Sequence, residues 1–178
     1  MRPTRLTIVL SMLLAPTAAY ASDKGWGTAS DVGAYGLAAV ALGLPLAKGD
    51  DKGALEAAFS LGAAEGATQI LKAAIPETRP DGSNRKSFPS GHTALAFAGA
   101  ATIQQREGWG AAIPAYAVAA FVGVARVEAR KHHWYDCVAG AAIGETAGLL
   151  LTHHNHRDVA LIPWGDSQGA GISLAARF

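Results

Sequence analysis

A histidine and an aspartate at helical spacing form the cluster with the most evident chemistry in this sequence. His132 and Asp136 are four residues apart, and Arg126 precedes them. On a helix such a pair shares one face, so the carboxylate can hold one imidazole nitrogen protonated while the other nitrogen attacks an electrophile. Arg126 can then bind the same anion. The plain alternative is an exposed His–Asp pair at a helix start, where the helix dipole favours Asp136.

A second cluster, residues 88–92, directly precedes an apolar segment. Ser90 is a suitable N-cap, and Gly91 lets the backbone approach closely, so free amides at the helix start form a cradle for an anion. His92, in the first turn, can give a proton to a leaving oxygen. Taken alone, the same residues can be a capping sequence with an incidental histidine.

Two cations form the third cluster. Lys72 and Arg79 are separated by six residues, and Pro76 between them marks a predicted helix end. If the loop curls back, Arg79 supplies a planar fork and Lys72 a point charge to one anion. Two cations at a helix end are otherwise simply solvated.

Apolar segments between short polar breaks must position these clusters. After a polar spacer at 23–30, the sequence predicts helices at 32–47, 52–75, 92–106, 109–124 and 133–152. The expected fold is an all-α bundle, and its Gly and Ala content predicts close helix packing. Residues 158–178 alternate apolar and polar side chains and predict a C-terminal β-hairpin that packs on the helices or on a partner.

The N-terminal residues resemble a targeting signal. Arg2 and Arg5 precede an apolar run at 6–15, and a small-x-small site ends at Ala21. We expect residues 1–21 to be a cleaved signal peptide or an uncleaved first membrane helix, followed by a helical domain at 22–157. Either alternative places the domain outside the cytoplasm.

Hydropathy leaves a membrane-embedded and a soluble periplasmic protein both open. Half of the residues are hydrophobic, 16% are charged, and the mean hydropathy is +0.18. Segment 32–47 is short for a bilayer, and Glu56 and Glu65 are predicted on opposite faces of one helix, so that one of them would meet lipid. Glu145 raises the same difficulty. Against this, the leader and five helices together supply six spans.

Composition also argues against several other classes. The net charge is +1 without a basic stripe, which excludes an extended nucleic-acid surface. Cys137 is the only cysteine, so an intramolecular disulfide cannot form. His153, His154 and His156 lack a cysteine or carboxylate to complete a closed metal site, and we interpret them as a solvated helix terminus. We therefore expect no metal and no cofactor.

Together, the three clusters resemble the three-part signature of the type 2 phosphatidic acid phosphatase superfamily. Lys72-x6-Arg79-Pro80, Pro89-Ser90-Gly91-His92 and Arg126-x5-His132-x3-Asp136 occur in the family's order and span about a third of the chain. The resemblance implies an acid phosphatase/vanadium-dependent haloperoxidase-like bundle of five to six helices in an exported protein. It implies five phosphate-binding residues, Lys72, Arg79, Ser90, Gly91 and Arg126.

The resemblance also implies the catalytic roles. His132 attacks phosphorus, and Asp136 orients the ring of His132. His92 protonates the leaving group and later activates water. Two features depart from the family pattern. Ala125 stands where the family usually has a serine, so one hydroxyl that could bond to the phosphate is missing. The loop at 81–88 is short for the family, so a substrate lid must come from elsewhere.

The expected activity is metal-independent hydrolysis of a phosphate ester or pyrophosphate through a phosphohistidine. A membrane lipid phosphate is the leading substrate, hydrolysed at the inner membrane with the site facing the periplasm. A soluble periplasmic acid phosphatase acting on small phosphoesters is the second enzyme hypothesis. Vanadium haloperoxidases share the pocket but are usually much larger. A non-catalytic envelope scaffold would predict decay of the catalytic set, which is present except for the usual serine. The oligomeric state stays open.

Overall fold

The computed structural model describes residues 22–153, 159–166 and 169–176. Five helices account for the first range, and the helical class predicted from sequence is confirmed. The predicted leader at 1–21, together with His154 and His156, lies outside the described residues. The helices are α1 (Asp23–Ala47), α2 (Asp51–Ala74), α3 (Gly91–Glu107), α4 (Trp109–Glu128) and α5 (Trp134–Leu151).

Helix α3 is the centre of the bundle and packs against each of the other four helices. Its surface consists largely of small residues, which lets four neighbours approach at once. Small side chains from α1, α2 and α4 face it, so the core is built mainly from alanine. The buried alanines of α3 are Ala94, Ala96, Ala98, Ala100 and Ala101.

Three glycines of α5 bring its backbone directly against α3. A Cβ at Gly140 would stand 2.4 Å from the carbonyl oxygen of Ser90, and one at Gly144 would stand 2.1 Å from that of Ala94. A Cβ at Gly148 would meet an alanine side chain of α3 at 2.4 Å. The close packing predicted from the Gly and Ala content is therefore present. We call Gly140, Gly144 and Gly148 the glycine stripe.

A Gly144→Ala variant is expected to lower the free energy of unfolding by about 3 kcal/mol, because the new methyl group overlaps a backbone carbonyl that cannot rotate away. Gly62→Ala is the matched control. A Cβ at Gly62 of α2 meets nothing within 4 Å, so helix propensity should make that change neutral or stabilising. Thermal unfolding followed by circular dichroism compares the two, and equal tolerance of both variants would contradict the stripe contact.

Helix α1 begins nine residues earlier than the sequence predicts, so the assignment of 23–30 as a polar spacer was wrong. The hydroxyl of Ser22 caps the helix by accepting from the amide of Gly25 at 3.2 Å. The ring of Trp26 packs on Phe121 of α4, and Ser30 is fully buried. Capping and packing therefore hold a glycine-containing stretch helical and bring it to the functional end of the bundle.

Two further boundaries differ from the prediction. Helix α4 continues past 124 to Glu128, so Arg126 lies in its last turn. Helix α5 begins at Trp134 with His133 as its N-cap, and His132 therefore precedes the helix. The prediction that His132 and Asp136 share a helical face was wrong. The carboxylate of Asp136 accepts from the backbone amide of His133 at 2.8 Å, which caps the N-terminus of α5 after His132.

The glutamates that seemed to oppose a membrane position are directed into the protein. Glu56 is buried and pairs with Arg106 of α3 at 3.2 Å, Glu65 lines a cavity, and Glu145 accepts from the hydroxyl of Tyr116 at 2.7 Å. The prediction that Glu56 or Glu65 meets lipid was therefore wrong, because the Glu56 carboxylate pairs with Arg106 and the Glu65 carboxylate lies beside Gly91 of α3.

The large apolar side chains lie mainly on the outside of the bundle. A core of alanine with isoleucine, leucine and phenylalanine outside is typical of helices that face lipid. Among the described residues, α1 and α4 are long and apolar enough to cross a membrane, with mean hydropathies of 1.3 and 1.6. Examples of the exposed side chains are Val32, Phe59, Ile70, Ile113, Val138 and Leu150.

The C-terminal segment carries two strands, β1 (Val159–Asp166) and β2 (Gly169–Ala176), in antiparallel register with Leu161 opposite Leu174. Their side chains are outside the described part of the chain. A hairpin packed on the helices or on a partner therefore stays a prediction.

Candidate active site

The three sequence clusters meet at one end of the helical bundle, which we call the mouth. The last turns of α2 and α4 and the first turns of α3 and α5 lie there, joined by the loops at 75–90 and 129–133. Helix polarity explains the arrangement, because the amides at the start of α3 and the cations at the ends of α2 and α4 all favour an anion. The eight predicted site residues lie on these turns and loops.

A cavity of about 590 Å³ opens at the mouth. Three predicted site residues do not line it, namely Ser90, Arg126 and Asp136, and Arg126 instead lines a second cavity together with Asp31. The other five line the cavity at the mouth, namely Lys72, Arg79, Gly91, His92 and His132. The structure therefore brings the main positive charges and both proposed catalytic histidines to one space.

His132 is only 2% exposed, and a backbone carbonyl fixes its ring. Its Nδ1 lies 2.7 Å from the carbonyl oxygen of Ser87, whereas the nearest carboxylate oxygen of Asp136 is 3.5 Å away. Nδ1–H therefore donates to Ser87, and Nε2 remains for a substrate. The expectation that Asp136 itself holds this nitrogen is corrected, since the Ser87 carbonyl is the closer acceptor.

Asp136 acts on His132 through its neighbours. Its Oδ2 accepts from the hydroxyl of Ser87 at 2.5 Å and from the amide of His133 at 2.8 Å. The amide of Ser90 in turn donates to the backbone carbonyl of Asp136 at 2.9 Å. The fully buried carboxylate thus ties the loop that holds the His132 ring to the start of α5.

The environment keeps His132 uncharged. Burial, together with the charges of Arg126 and Lys72, lowers the pKa of His132 to about 3, and Asp136 offsets only part of this effect. An imidazole with that pKa is neutral from mildly acidic to basic pH. Its free nitrogen therefore has the lone pair that a nucleophile needs.

Lys72 and Arg79 differ in the hydrogen bonds that they already make within the protein. The ammonium of Lys72 donates to the carbonyl of Pro89 and, at 3.3 Å, to that of Lys86. Among the described residues, Nε of Arg79 has no hydrogen-bond partner, although it is buried. Arg79 thus retains an unused donor, while Lys72 is anchored beside the anion cradle.

Ser90 caps the start of α3 and is also part of the proposed anion cradle. Its side chain is the N-cap, with the hydroxyl 2.9 Å from that of Thr93. Gly91 and His92 follow this cap in the first turn, where backbone amides lack partners within the helix, and both residues line the cavity. A Cβ at Gly91 would lie 3.4 Å from Oε2 of Glu65, so the glycine keeps the cradle open beside that carboxylate.

Arg126 and His92 share a partner that the sequence analysis did not identify. NH1 of Arg126 is 3.2 Å from Oδ1 of Asp31, and Nε2 of His92 is 2.9 Å from the same atom. NH1 also donates to the hydroxyl of Ser30 at 3.2 Å. With Nε2 of His92 bound to Asp31, its Nδ1 remains for a substrate.

The family can be assigned from sequence comparison as well as from this geometry. The chain matches the PAP2 superfamily over residues 53–159, which is more than half of its length and includes all three clusters. The chain belongs to the PAP2 superfamily. The resemblance inferred from the three motifs is thus confirmed.

Two curated proteins that are similar to part of the chain have functional names. A lipid A 1-phosphatase of Porphyromonas gingivalis is 41% identical over 76 residues, 40% of this chain and 17% of that protein. A lipid phosphate phosphatase 2 of Arabidopsis thaliana is 41% identical over 79 residues, 36% of this chain and 27% of that protein. The aligned parts are a minor share of both relatives. No solved structure matches the chain.

Sequence reasoning missed three residues of this PAP2 site. Ser87 adjoins the second cluster, but its carbonyl contacts His132 only in the folded protein, and no sequence pattern indicates that contact. Asp31 fell at the edge of the supposed spacer. Glu65 could have been found, because it precedes Lys72 by seven residues and so occupies the same helical face two turns away.

One group of side chains at the PAP2 site has the composition of a cation site. Ligand atoms of Glu77, His133 and Asp136 lie within 4.8 Å of one another. Oδ2 of Asp136 already accepts two hydrogen bonds, and Tyr135 donates to Glu77. The absence of a required metal stays a prediction, and metal removal tests it below.

Proposed function

We propose that the protein is a metal-independent phosphatase that hydrolyses lipid phosphates through a phosphohistidine at His132. One observation carries this proposal. The neutral, buried imidazole of His132 lines the same cavity as Lys72 and Arg79, with its Nδ1 fixed by a carbonyl. A fixed neutral nitrogen beside two cations is suited to attack on a bound phosphate dianion.

The first chemical step forms a P–N bond and breaks the P–O bond of the ester. Lys72, Arg79, the Ser90–Gly91 cradle and Arg126 stabilise the phosphate oxygens while Nε2 of His132 attacks phosphorus in line with the leaving oxygen. The electron pair of the broken bond passes to that oxygen, and protonated His92 supplies the proton. The product alcohol leaves, and the phosphoryl group stays on His132.

The second step reverses the role of His92. Now neutral, it accepts a proton from a water molecule whose oxygen attacks phosphorus. The P–N bond breaks, its electron pair returns to Nε2, and inorganic phosphate is released. Throughout, Nδ1–H of His132 can keep donating to Ser87, so the ring need not turn between the steps.

The proposed location is the membrane, with the mouth on the outer side. The exposed apolar side chains and the names of the two relatives support a lipid substrate. We propose residues 1–21 as a signal peptide or first span, 22–157 as the catalytic domain and 158–178 as a hairpin tail. A leader with Arg2 and Arg5 inside would deliver Ser22 to the outer side, which is the side of the mouth.

A soluble periplasmic phosphatase is the second candidate, and one observation favours it. Only α1 and α4 of the five described helices pass the length and hydropathy test for a span. Carbonate extraction of the cell envelope separates the two candidates, because an embedded bundle stays in the pellet and a soluble one is released.

Hydrolysis of p-nitrophenyl phosphate in the presence of EDTA tests the proposed function. Turnover should persist in excess chelator, and vanadate should inhibit it, because vanadate adopts the trigonal-bipyramidal geometry that the cations stabilise. A His132→Asn variant is the control for contaminating phosphatases. Activity that EDTA abolishes and a divalent cation restores would instead direct attention to Glu77, His133 and Asp136, and no turnover would favour a scaffold.

A further inference from the structure

The cavity continues past the phosphate cradle into the bundle. Glu65 lies seven residues before Lys72 on α2, so its backbone is about 10 Å further along the helix at 1.5 Å per residue, and its carboxylate reaches back to 3.4 Å from a Cβ built on Gly91. Leu95 lies one turn beyond Gly91 on α3, in the same direction. Both line the cavity, with Tyr35 of α1 and Gln69 of α2. We call this deeper part, formed by Tyr35, Glu65, Gln69 and Leu95, the inner cleft.

In-line displacement assigns the inner cleft to the leaving group. His132 must attack from one side of phosphorus, so the leaving oxygen departs on the other, where the proton donor His92 is expected. Tyr35 contacts His92 edge-on, with ring centroids 5.5 Å apart. With His92 as the proton donor, the alcohol portion of a substrate is expected on the side of His92 and Tyr35, which line the cavity together with Glu65.

The inner cleft presents an unused acceptor. The amide of Gln69 donates to Oε1 of Glu65 at 2.5 Å and so fixes the carboxylate. Oε2 has no hydrogen-bond partner among the described residues, and it lies beside Gly91 at the edge of the cradle. A fixed anion next to a phosphate site weakens phosphate binding by repulsion unless the substrate compensates for it.

The charges around the cavity make the inner cleft different from the mouth. Lys72, Arg79 and Lys86 supply positive charge at the mouth, and all three line the cavity. In the inner cleft, Glu65 is the charged residue. A second phosphate in the leaving group would face this carboxylate, whereas a hydroxyl or ammonium group would be attracted to it.

We propose that Glu65, fixed by Gln69, selects the leaving group by accepting a hydrogen bond from a hydroxyl or ammonium group of the substrate's alcohol. The substrate class is then a phosphate monoester of a polyhydroxylated or amino-bearing head group, and diphosphates are disfavoured. This inference rests on the proposed function and specifies its substrate.

A Glu65→Gln variant of the full chain tests the selection with three probes. We compare kcat/KM for glucose 1-phosphate and n-hexyl diphosphate, each relative to n-hexyl phosphate. The variant should lower the first ratio about tenfold, since one hydrogen bond to a charged acceptor is weakened, and raise the second about tenfold, since repulsion is removed. Glu128→Gln is the matched control, because Glu128 is an exposed glutamate at the mouth end of α4, and both ratios should stay at the wild-type values.

A Glu65→Asp variant covers the case in which the glutamine variant does not fold. It keeps the charge with a shorter reach, so the ratio for the diphosphate should stay low while that for glucose 1-phosphate falls. Ratios unchanged by both substitutions would overturn the role of Glu65 and leave the proposed function intact. Wild-type protein that hydrolyses none of the three probes would overturn both.

Discussion

Replacing His132 by alanine is expected to reduce kcat for phosphate ester hydrolysis by at least about 10³-fold, because no other group can form the covalent intermediate. Nothing else at the mouth offers a neutral nitrogen that is fixed by a carbonyl and faces the cavity in the described part of the chain. Steady-state turnover of p-nitrophenyl phosphate measures the loss. Trapping with radiolabelled substrate and an alkaline quench, which preserves a P–N bond, should label wild-type protein and not the variant.

His133→Ala is the matched control for this result. His133 is adjacent in sequence and has a ring near Asp136, but its backbone amide makes the bond to that carboxylate at 2.8 Å, and alanine retains it. We expect its kcat to stay within about fivefold of wild type, as for a residue outside the reacting centre. Equal loss in the two variants would show that the nucleophile has been wrongly assigned.

Replacing His92 by alanine is expected to produce a loss that depends on the leaving group. The kcat/KM of an alkyl phosphate, which reports the first step, should fall about 10²–10³-fold, whereas that of p-nitrophenyl phosphate should fall by about tenfold or less. The reason is that an alkoxide must be protonated as it leaves, while p-nitrophenolate is stable without a proton. Parallel assays of kcat/KM on both esters measure the difference, whereas kcat should fall for both because His92 also activates water in the second step.

An Asp31→Asn variant refines the same experiment. Asparagine can still accept from Nε2 of His92, but it removes the charge that favours the protonated ring. The variant should show the same dependence on leaving group with a smaller loss. Identical losses of kcat/KM for both esters in His92→Ala would indicate that His92 binds phosphate and does not act as an acid.

Parts of this fold were accessible from sequence because their causes are local. The start of α2 follows from Asp50, whose carboxylate caps the amide of Gly53 at 2.9 Å, and the start of α3 follows from Ser90. Both predicted starts were correct to one residue. The residue types and spacings of the three clusters are likewise local, so their chemistry could be inferred before the geometry was seen.

What the sequence did not disclose depends on contacts between distant segments. Asp31 reaches Arg126 across 95 residues, and the Ser87 carbonyl reaches His132 across 45. Neither contact leaves a periodic or compositional signal. The burial of Glu56 has the same origin, since its pairing with Arg106 and its contacts with His153 make an internal position favourable for a carboxylate.

The glycine stripe has a consequence for how substrate preference can change. Because α3 and α5 touch backbone to backbone, they form a rigid pair, and the separation between the Ser90 cradle and His132 is set before any ester binds. A larger or differently shaped alcohol must then be accommodated by α1 and α2, which carry Tyr35, Glu65 and Gln69. Divergence in specificity should accordingly accumulate in the first two helices, while the third and fifth preserve the chemistry unchanged.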